Sequence, residues 1–332
     1  MKKITLACLL TCLILSGCAQ KENKKDEGKK ELTKIRIGWQ IPWATQGQLT
    51  QILKKTELLK DNNLEGDFKG FNYGGPLNEA ALAGEVDVLF TADQPAAMLI
   101  SKNPNWVIIG RLMYNRVSLY VPPMSDIKEI KDLKNKTVAM PFGAAAQRMA
   151  LMVEEAAGLD SKNDVNNINL GIYEQSDLVR NKEAKKWGDI DALAGFDPTP
   201  AIFEEKGLVR NLHVGKIVSV IVMSRDYIER NPEAPKNFLR AFHGSYDFYR
   251  NNNEQANTWF TEEAGLDISP DALEIAASVE PNLRGEPIRI DFIEDDYRIM
   301  EEAVSFLYKQ GMIDNNINIR DNIDLQYLDP TQ

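Results

Sequence analysis

The sequence contains very few of the side chains that carry nucleophilic and general-base chemistry. Only three cysteines and two histidines occur among the 332 residues, and all three cysteines lie within the first 18 positions. His213 and His243 have no Ser or Cys motif near them, and no G-x-S-x-G, H-E-x-x-H, phosphate-loop or dinucleotide-binding sequence is present. The sequence therefore gives no support to a hydrolase, a nucleotide-dependent enzyme or a thiolate metal site.

The chain also lacks an excess of positive charge and a long apolar run. It has 39 Lys and Arg against 49 Asp and Glu, which gives a net charge of −10 and makes a nucleic-acid partner a poor fit. The apolar run Ile4–Leu15 is too short to span a membrane. With 43% hydrophobic and 27% charged residues, the remainder has the composition of folded protein and is long enough for two globular domains.

The first 18 residues are predicted to be a targeting segment. Lys2 and Lys3 precede the apolar run, and Leu15-Ser16-Gly17-Cys18 resembles the lipobox of bacterial lipoproteins, in which the cysteine is lipidated. An ordinary signal peptide with an incidental cysteine is the alternative. Removal of this segment takes away two lysines and no acids, so the net charge would change from −10 to −12. Residues 19–33 are polar and charged, which predicts a flexible tether.

Two separate stretches of the chain share one pattern of residues. Glu79–Pro95 reads EAALAGEVDVLFTADQP and Glu183–Pro198 reads EAKKWGDIDALAGFDP, and in both the last aspartate follows the glycine by nine residues. Each stretch is typical of a helix end, a short buried strand and a carboxylate at the carboxyl end of that strand. Ligands of open α/β sheets bind at such strand ends, so the repeat predicts two ends that face a shared cleft.

Each half of the chain is predicted to run strand, helix, strand, helix, strand. The first half has strands at Ile35–Trp39, Phe68–Tyr73 and Val86–Phe90, with helices over Gln48–Lys60 and up to Gly84. The second half has strands at Thr137–Met140, Asn167–Tyr173 and Ile190–Ala194, with helices over Ala144–Ala157 and Asp177–Trp187. This order predicts parallel pairing with right-handed crossovers, and hence an α/β fold.

Two further apolar segments, Val117–Val121 and Lys216–Met223, are predicted as strands that connect the halves. After Asp226 the chain is mostly helical, with helices predicted over Pro235–Asn251, Asn253–Ala264, Pro270–Val279 and Phe292–Gln310. We therefore expect two lobes, with residues 34–122 and 217–332 in lobe 1 and residues 123–216 in lobe 2.

Polar and aromatic residues follow the predicted strands and form the candidate ligand site. In lobe 1 they are Gln40, Trp43, Gln46, Asp93 and Gln94, and in lobe 2 they are Phe142, Gly143, Ala144, Ala145, Gln147, Phe196 and Asp197. Backbone N–H groups of residues 143–147, at the start of a helix, would form an anion site, and the small residues there let a ligand approach the backbone.

A structural role is the alternative for each of these residues. Gly143 can serve a tight turn, Trp43 can pack in the core, and Asp93 and Asp197 can cap the helices that follow them. Arg148 is expected to pair with a surface carboxylate and not with a ligand. The repeat favours the ligand-binding interpretation, because both carboxylates lie at equivalent strand ends.

Three motifs of the chain resemble those of the solute-binding proteins of nitrate, sulfonate and taurine ABC importers. They are A-L-A-G-E-V-D-V-x-x-x-x-D-x-P at Ala81–Pro95, D-L-K-N-K-T-V-A-M-P-F-G at Asp132–Gly143, and F-D-P-x-P-A-I-x-E-E-K-G-L at Phe196–Leu208. The resemblance implies a two-lobed periplasmic-binding-protein type 2 fold with the ligand between the lobes and a membrane permease as partner. It implies that Gln40, Asp93, residues 143–147 and Asp197 line the cleft.

One departure from these binders concerns the ligand. They usually offer a hydroxyl after P-F-G, where this chain has Ala144, Ala145 and Ala146. A sulfonate, taurine or nitrate would then be bound by the backbone alone, and a thiamine-type pyrimidine precursor with an amino group for Asp93 or Asp197 is an alternative.

We expect a monomeric, lipid-anchored extracytoplasmic protein without cofactor, metal or nucleic-acid partner. Two readings compete with solute binding. A pyrimidine-biosynthesis enzyme of this fold would use a cysteine-rich motif, which the chain lacks after residue 18. A purely structural lipoprotein would leave the paired strand-end carboxylates unexplained.

Overall fold

Eight β-strands pair into one mixed sheet. The computed structural model describes residues 31–285 and 287–328, so the predicted signal peptide, Cys18 and the tether up to residue 30 lie outside the described residues. The strands are β1 (Thr33–Gln40), β2 (Leu64–Phe71), β3 (Val88–Ala92), β4 (Trp106–Val121), β5 (Thr137–Met140), β6 (Asn166–Asn169), β7 (Ala192–Phe196) and β8 (Arg210–Ser224). Their order across the sheet is β2-β1-β3-β8-β4-β7-β5-β6.

The predicted parallel pairing is confirmed in both halves of the sheet. β1 is parallel to β2 and β3, and β5 is parallel to β6 and β7. Between these two groups lie β4 and β8, which run antiparallel to each other from Trp106 opposite Ser224 to Val121 opposite Arg210. The two connecting segments expected at 117–121 and 216–223 are therefore parts of much longer strands. β8 also pairs with β3, and β4 also pairs with β7, so each long strand contributes to both halves.

The repeated stretch builds the same hydrogen-bonded arrangement twice. The N–H of Asp87 donates to the carbonyl of Arg36 (2.8 Å), and the Asp87 carboxylate accepts from the N–H of Arg36 (2.9 Å). Asp191 makes the same two bonds with Thr137, at 2.9 and 3.0 Å. A side chain that accepts from the neighbouring strand fixes the register at which β3 meets β1 and β7 meets β5. The carboxyl ends of β3 and β7, which border the candidate site, are thereby aligned with their neighbouring strands.

Twelve α-helices are found in the described part of the chain. They are α1 (Gln46–Lys55), α2 (Leu58–Asp61), α3 (Gly74–Leu82), α4 (Asp93–Lys102), α5 (Ala145–Ala156), α6 (Ile172–Leu178), α7 (Thr199–Glu205), α8 (Arg225–Arg230), α9 (Ala234–Asn251), α10 (Asn253–Ala264), α11 (Pro270–Ala277) and α12 (Glu294–Lys309). The four helices predicted after Asp226 are confirmed to within two residues at each end.

The helix predicted over Asp177–Trp187 is wrong. The helix in this region is α6, which begins directly after Gly171 and ends at Leu178, so the strand expected to reach Tyr173 also ends earlier, at Asn169. Beyond α6, the side chain of Asn181 accepts a hydrogen bond from the N–H of Glu183 (2.9 Å). Such local side-chain bonds compete with helical ones, and here they hold a turn in place of a helix.

Both faces of the sheet are covered by helices. Along β8, Ile221 and Met223 join an apolar cluster with α1 and α9, whereas Val220 and Val222 join a second cluster with α4 and α12. Alternate side chains of a strand point to opposite faces, and here both faces are covered by helices. Because side chains on both faces are buried, this part of β8 is mostly apolar in sequence. Within residues 31–285 and 287–328, none of the helices combines the length and the apolarity needed to cross a lipid bilayer.

Candidate functional site

The carboxyl ends of β1, β3 and β7 meet the start of α5. One cluster of buried side chains contains Trp43 after β1, Ala92 of β3, Ala144 and Ala145 at the start of α5, and Phe196 at the end of β7. The ring centroids of Trp43 and Phe196 lie 5.0 Å apart with planes inclined by 44°. The structure thus brings together four of the predicted site residues, and the cluster joins the two halves of the chain.

Three predicted glutamines are buried beside these strand ends. Gln40 ends β1, Gln46 begins α1 and Gln94 lies in the first turn of α4. The Oε1 atom of Gln46 accepts from the N–H of Gln40 (2.9 Å). Within the described residues, the Nε2 atoms of Gln40 and Gln46 and both amide atoms of Gln94 have no hydrogen-bond partner. An unpaired buried amide costs about 1–3 kcal/mol, so such a group in a native fold points to a missing partner such as a ligand or water.

Asp93 is buried at the N-terminus of α4 and is bonded through both carboxylate oxygens. Oδ1 accepts from the N–H of Gln94 (2.7 Å), and Oδ2 accepts from Nη2 of Arg148 (2.5 Å). Burial raises the pKa of Asp93, and the positive charge of Arg148 opposes that rise. Arg148 also donates to the carbonyl of Ile299 in α12 (3.4 Å). The expectation that Arg148 pairs with a surface carboxylate is therefore wrong, because it is buried and its partner is Asp93.

Asp197 is buried at the equivalent strand end of the second half. Its Oδ1 atom accepts from the N–H of Ala201 in α7 (3.0 Å), so this carboxylate binds a helix N-terminus. Nε of Arg116 lies 3.1 Å from Oδ2, but the N–H is not aimed at the oxygen, which has no hydrogen bond within the described residues. Burial raises the pKa of Asp197 to about 7, although Arg116 opposes the rise. Arg116 also pairs with Glu204, which is partly exposed.

The loop that leads into α5 leaves fewer free N–H groups than the sequence predicts. Of the five from residue 143 to residue 147, three already donate within the chain. Gly143, whose φ is +82°, donates to Oε1 of Gln147 (2.8 Å), and the N–H groups of Ala144 and Gln147 donate to backbone carbonyls. The N–H groups of Ala145 and Ala146 have no partner among the described residues. Donors for an anion are therefore concentrated at the first turn of α5.

Two cavities are bordered by residues of the same loop. One, here called the outer chamber, has a volume of about 150 Å³, and its walls include Asn72, Tyr73, Asn169, Tyr173, Glu174 and Phe196. The other has a volume of about 130 Å³, is mainly apolar, and is bordered by Gly143 together with side chains of α3 and α4. Phe142, which is exposed, stands between Pro141 of the first cavity and Gly143 of the second. Both cavities have walls from both halves of the chain.

Sequence reasoning missed the polar residues inside β4. The amide of Asn115 donates to the carbonyl of Ala44 (2.9 Å) and accepts from the hydroxyl of Ser219 (2.5 Å), so it connects the loop after β1 to the two central strands. Arg116 and Ser118 follow in the same strand and are also buried. A run of polar residues within an otherwise apolar strand was the signal that could have identified them.

The described residues contain no group of three or more His, Cys, Asp and Glu side chains that could hold a metal ion. The polar atoms that lie unpaired near the strand ends include the glutamine amides, the indole N–H of Trp43 and one carboxylate oxygen of Asp197. The amides and the indole suit hydrogen bonding to an organic or oxoanionic ligand.

Comparison with solved structures confirms the fold. The chain is similar to the alkanesulfonate-binding protein SsuA from Xanthomonas axonopodis pv. citri, solved with MOPS, at 18% identity over 89% of this chain and 99% of that one, with a TM-score of 0.71. It is similar to the periplasmic nitrate-binding protein NrtA from Synechocystis PCC 6803 at 14% identity over 90% and 87%, with a TM-score of 0.68. A desulfurization enzyme, DSZB, has a TM-score of 0.62 at 14% identity over 89% and 97%. At these identities the likeness establishes the periplasmic-binding-protein fold.

Comparison with family models gives the family. No curated protein matches the sequence. The model described as NMT1/THI5 like matches residues 73–256, which are 184 of the 332 residues and include both copies of the repeat and the start of α5. The chain therefore belongs to the NMT1/THI5-like family.

Proposed function

We propose that the chain is the extracytoplasmic solute-binding protein of an ABC importer, which closes on one small molecule and delivers it to a membrane permease. It acts as a monomer whose lobes are residues 34–122 with 217–332 and residues 123–216. The observation that carries the proposal is the set of unpaired glutamine amides beside a buried cluster that joins both halves. A ligand that accepts and donates hydrogen bonds there would pair with those amides and would contact both lobes, which stabilises the closed state.

The first candidate solute is a small oxoanion-bearing molecule of the sulfonate, taurine or nitrate class. The free N–H groups of Ala145 and Ala146 at the start of α5 support it, since helix N-termini bind anions. The fold shared with proteins named for alkanesulfonate and nitrate binding agrees with this class.

A second candidate is an uncharged, planar solute such as a thiamine-type pyrimidine precursor. The arginines beside the two strand-end aspartates, Arg148 and Arg116, are both ion-paired with them, so neither is left to balance an anion. The glutamine amides can donate and accept, and the Trp43–Phe196 pair offers aromatic surface.

A thermal-shift screen with sulfonates, taurine, nitrate and thiamine-type pyrimidines tests the function and separates the two candidates. A ligand present at a hundred times its dissociation constant stabilises the folded state by about 2.7 kcal/mol, which raises the melting temperature by several degrees. Mass spectrometry of small molecules that co-purify with the chain provides an unbiased second route. If no member of the panel shifts the melting temperature and nothing co-purifies, the proposal fails.

A matched pair of variants locates the site. Gln94→Met removes both unpaired amide atoms while keeping the side-chain length, so it should abolish the ligand-induced shift and leave the unliganded melting temperature equal or higher. Gln51→Met is the control, because Gln51 is also buried in this fold with both amide atoms unpaired but is not a predicted site residue. Unchanged binding in Gln94→Met would place the site elsewhere, and equal loss of binding in both variants would show that the effect is not specific to Gln94.

We also propose that the protein binds its solute without chemical turnover. Within the described residues no Ser or Thr hydroxyl is hydrogen-bonded to a histidine, although Ser161 donates to the carboxylate of Glu155 (3.1 Å) and one structural neighbour is named an enzyme. Prolonged incubation with the bound solute should return it unaltered in mass. Appearance of a stoichiometric product would favour the competing cleft enzyme.

Anchoring through a lipid on Cys18 completes the proposal. Cys18→Ala should release the protein from membranes and leave the melting temperature of the folded part unchanged, because Leu32–Gln332 forms a compact unit of its own. Membrane association that persists in this variant would contradict lipidation at Cys18.

A further inference from the structure

The outer chamber has a composition that the proposed solute site does not explain. Three aromatic side chains, Tyr73, Tyr173 and Phe196, line it together with one carboxylate, Glu174. No lysine or arginine is among the lining residues, so the chamber carries one negative charge. Phe196 also packs against Trp43, which makes the chamber a neighbour of the cluster at the strand ends.

The carboxylate of Glu174 is available to a ligand. It has no ion pair and no hydrogen bond within the described residues, unlike the buried Asp93 and Asp197. The side chain folds back over Gly171, where its Oε2 atom lies 2.3 Å from the position a Cβ at that glycine would occupy. The absence of a side chain at Gly171 therefore lets the carboxylate lie along the chamber wall.

Two other residues of the chamber wall, Tyr173 and Asn169, are held in place by hydrogen bonds to residues outside the chamber. The hydroxyl of Tyr173 donates to the carbonyl of Ala264 (3.1 Å), which fixes this ring against α10. Oδ1 of Asn169 accepts from the N–H of Phe142 (2.9 Å), so its NH2 group remains for a ligand or water. A chamber whose walls are already positioned loses little conformational entropy when a ligand enters.

Aromatic rings around a carboxylate are the chemistry that recognises ammonium groups. The face of an aromatic ring attracts a cation, and methylated ammonium ions are bound by several such rings together. A cavity of about 150 Å³ can hold a molecule the size of benzene, so a trimethylammonium group fits. An anionic group would instead meet the charge of Glu174 without a compensating cation.

We propose that the outer chamber is a subsite for a protonated or methylated ammonium group carried by the transported solute. The inference rests on the proposed solute-binding function and specifies the solute as one with a cationic end. The polar head of the solute occupies the site at the strand ends, and its ammonium group extends past Phe196 to Glu174. Among sulfonates, this selects taurine over isethionate, which has a hydroxyl in place of the amine.

Choline and its neutral carbon analogue, 3,3-dimethylbutan-1-ol, test the chamber directly. Saturation-transfer NMR titration of the full chain should give a dissociation constant at least tenfold lower for choline. Glu174→Gln should remove most of this preference. Glu205→Gln, which removes an exposed carboxylate outside the chamber, should retain it. Tyr73→Leu should weaken choline binding, whereas Tyr73→Phe should preserve it.

Three results would overturn the inference. They are equal binding of both probes, no choline signal in the wild-type chain, or an unchanged preference in Glu174→Gln. The failure of the proposed function looks different: choline still binds, but no solute of the thermal-shift panel does. Conversely, if neither the Glu174→Gln variant nor added choline changes solute binding, the proposed function is supported and the ammonium subsite is refuted.

Discussion

The two halves of the molecule use the repeated aspartates in one identical and one divergent way. Asp87 and Asp191, at the starts of β3 and β7, each exchange the same pair of hydrogen bonds with the neighbouring parallel strand. Asp93 and Asp197, at the ends of those strands, have different partners. Both accept from an N–H of the helix that follows their strand, but Asp93 is also hydrogen-bonded to Arg148, whereas the second oxygen of Asp197 lies 3.1 Å from Arg116 without a hydrogen bond.

The comparison distinguishes the hydrogen bonds at the strand starts, which the sheet requires in both halves, from the partners at the strand ends, which can differ. The aspartate at the strand start sets the register of a parallel pair, and both halves need that register to build the sheet. The aspartate at the strand end lies just beyond the paired residues of β3 or β7, so its partner can differ. In the first half that partner makes the carboxylate a link between the halves, because Arg148 belongs to α5 and Asp93 to α4.

Removal of the linking cation should give the largest effect. Arg148→Met leaves the Asp93 carboxylate buried without its countercharge, and loss of one partner of a buried pair costs about 3–5 kcal/mol of unfolding free energy. Arg116→Met should cost less, because Arg116 also serves the partly exposed Glu204 and Asp197 can take up a proton near neutral pH. Urea denaturation at pH 8 measures both.

A double variant controls for the lost side-chain packing of Arg148. Asp93→Asn combined with Arg148→Met removes the buried charge as well as its partner, and should recover a large part of the loss. If Arg116→Met destabilises the protein as much as Arg148→Met does, the two strand ends are energetically equivalent, which would contradict the difference inferred between them.

Stability should fall with rising pH because of Asp197. Its pKa is about 7 in the folded protein and about 3.9 in an unfolded chain. A raised carboxyl pKa means that the folded state holds the proton more tightly, so this contribution is complete below pH 4 and is lost between pH 4 and pH 7. The slope is at most about 1.4 kcal/mol per pH unit. Asp197→Asn removes it, so the variant should gain stability relative to the wild type across this range.

Urea denaturation of both proteins at several pH values provides the measurement. Glu154 is a second buried carboxyl whose pKa is raised to about 7, and its contribution cancels when the variant is compared with the wild type. Parallel curves for the two proteins would show that the pKa of Asp197 is the same in the folded and unfolded protein and would contradict the prediction.

The register aspartates should be about equally important in the two halves, because the cation that each one also pairs with, Arg36 for Asp87 and Lys186 for Asp191, is more than one-third exposed and exposed ion pairs contribute little. Asp87→Ala and Asp191→Ala each leave a strand N–H without its acceptor, which costs about 2 kcal/mol. Asp87→Asn and Asp191→Asn keep an oxygen in place and should cost clearly less. Chemical denaturation of the four variants tests the symmetry, and a large difference between the two alanine variants would contradict it.

The sequence was informative where neighbouring residues decide the structure and uninformative where distant ones do. Alternation and repeat spacing predicted the parallel strands, the helix from Asn253 to Ala264 and the strand-end position of Asp93. The partner of Asp93 lies 55 residues away, and no local pattern encodes that contact. The length of β4 was underestimated because its buried Asn115 and Arg116 interrupt the apolar pattern on which strand prediction depends.

The smallest predicted effect concerns the two glycines that lie four residues before the repeated strands β3 and β7. Gly84 and Gly188 have φ values of +71° and +62°, and a Cβ at either position would meet no atom within 4 Å. Alanine should therefore cost only the backbone penalty of the left-handed conformation, about 1 kcal/mol, in both halves. Asparagine tolerates this conformation, as Asn63 and Asn135 do in this chain, so it should be nearly neutral. Melting temperatures of the four variants decide the point, since unequal costs for the two alanines would mean that the turns differ in the free energy they require.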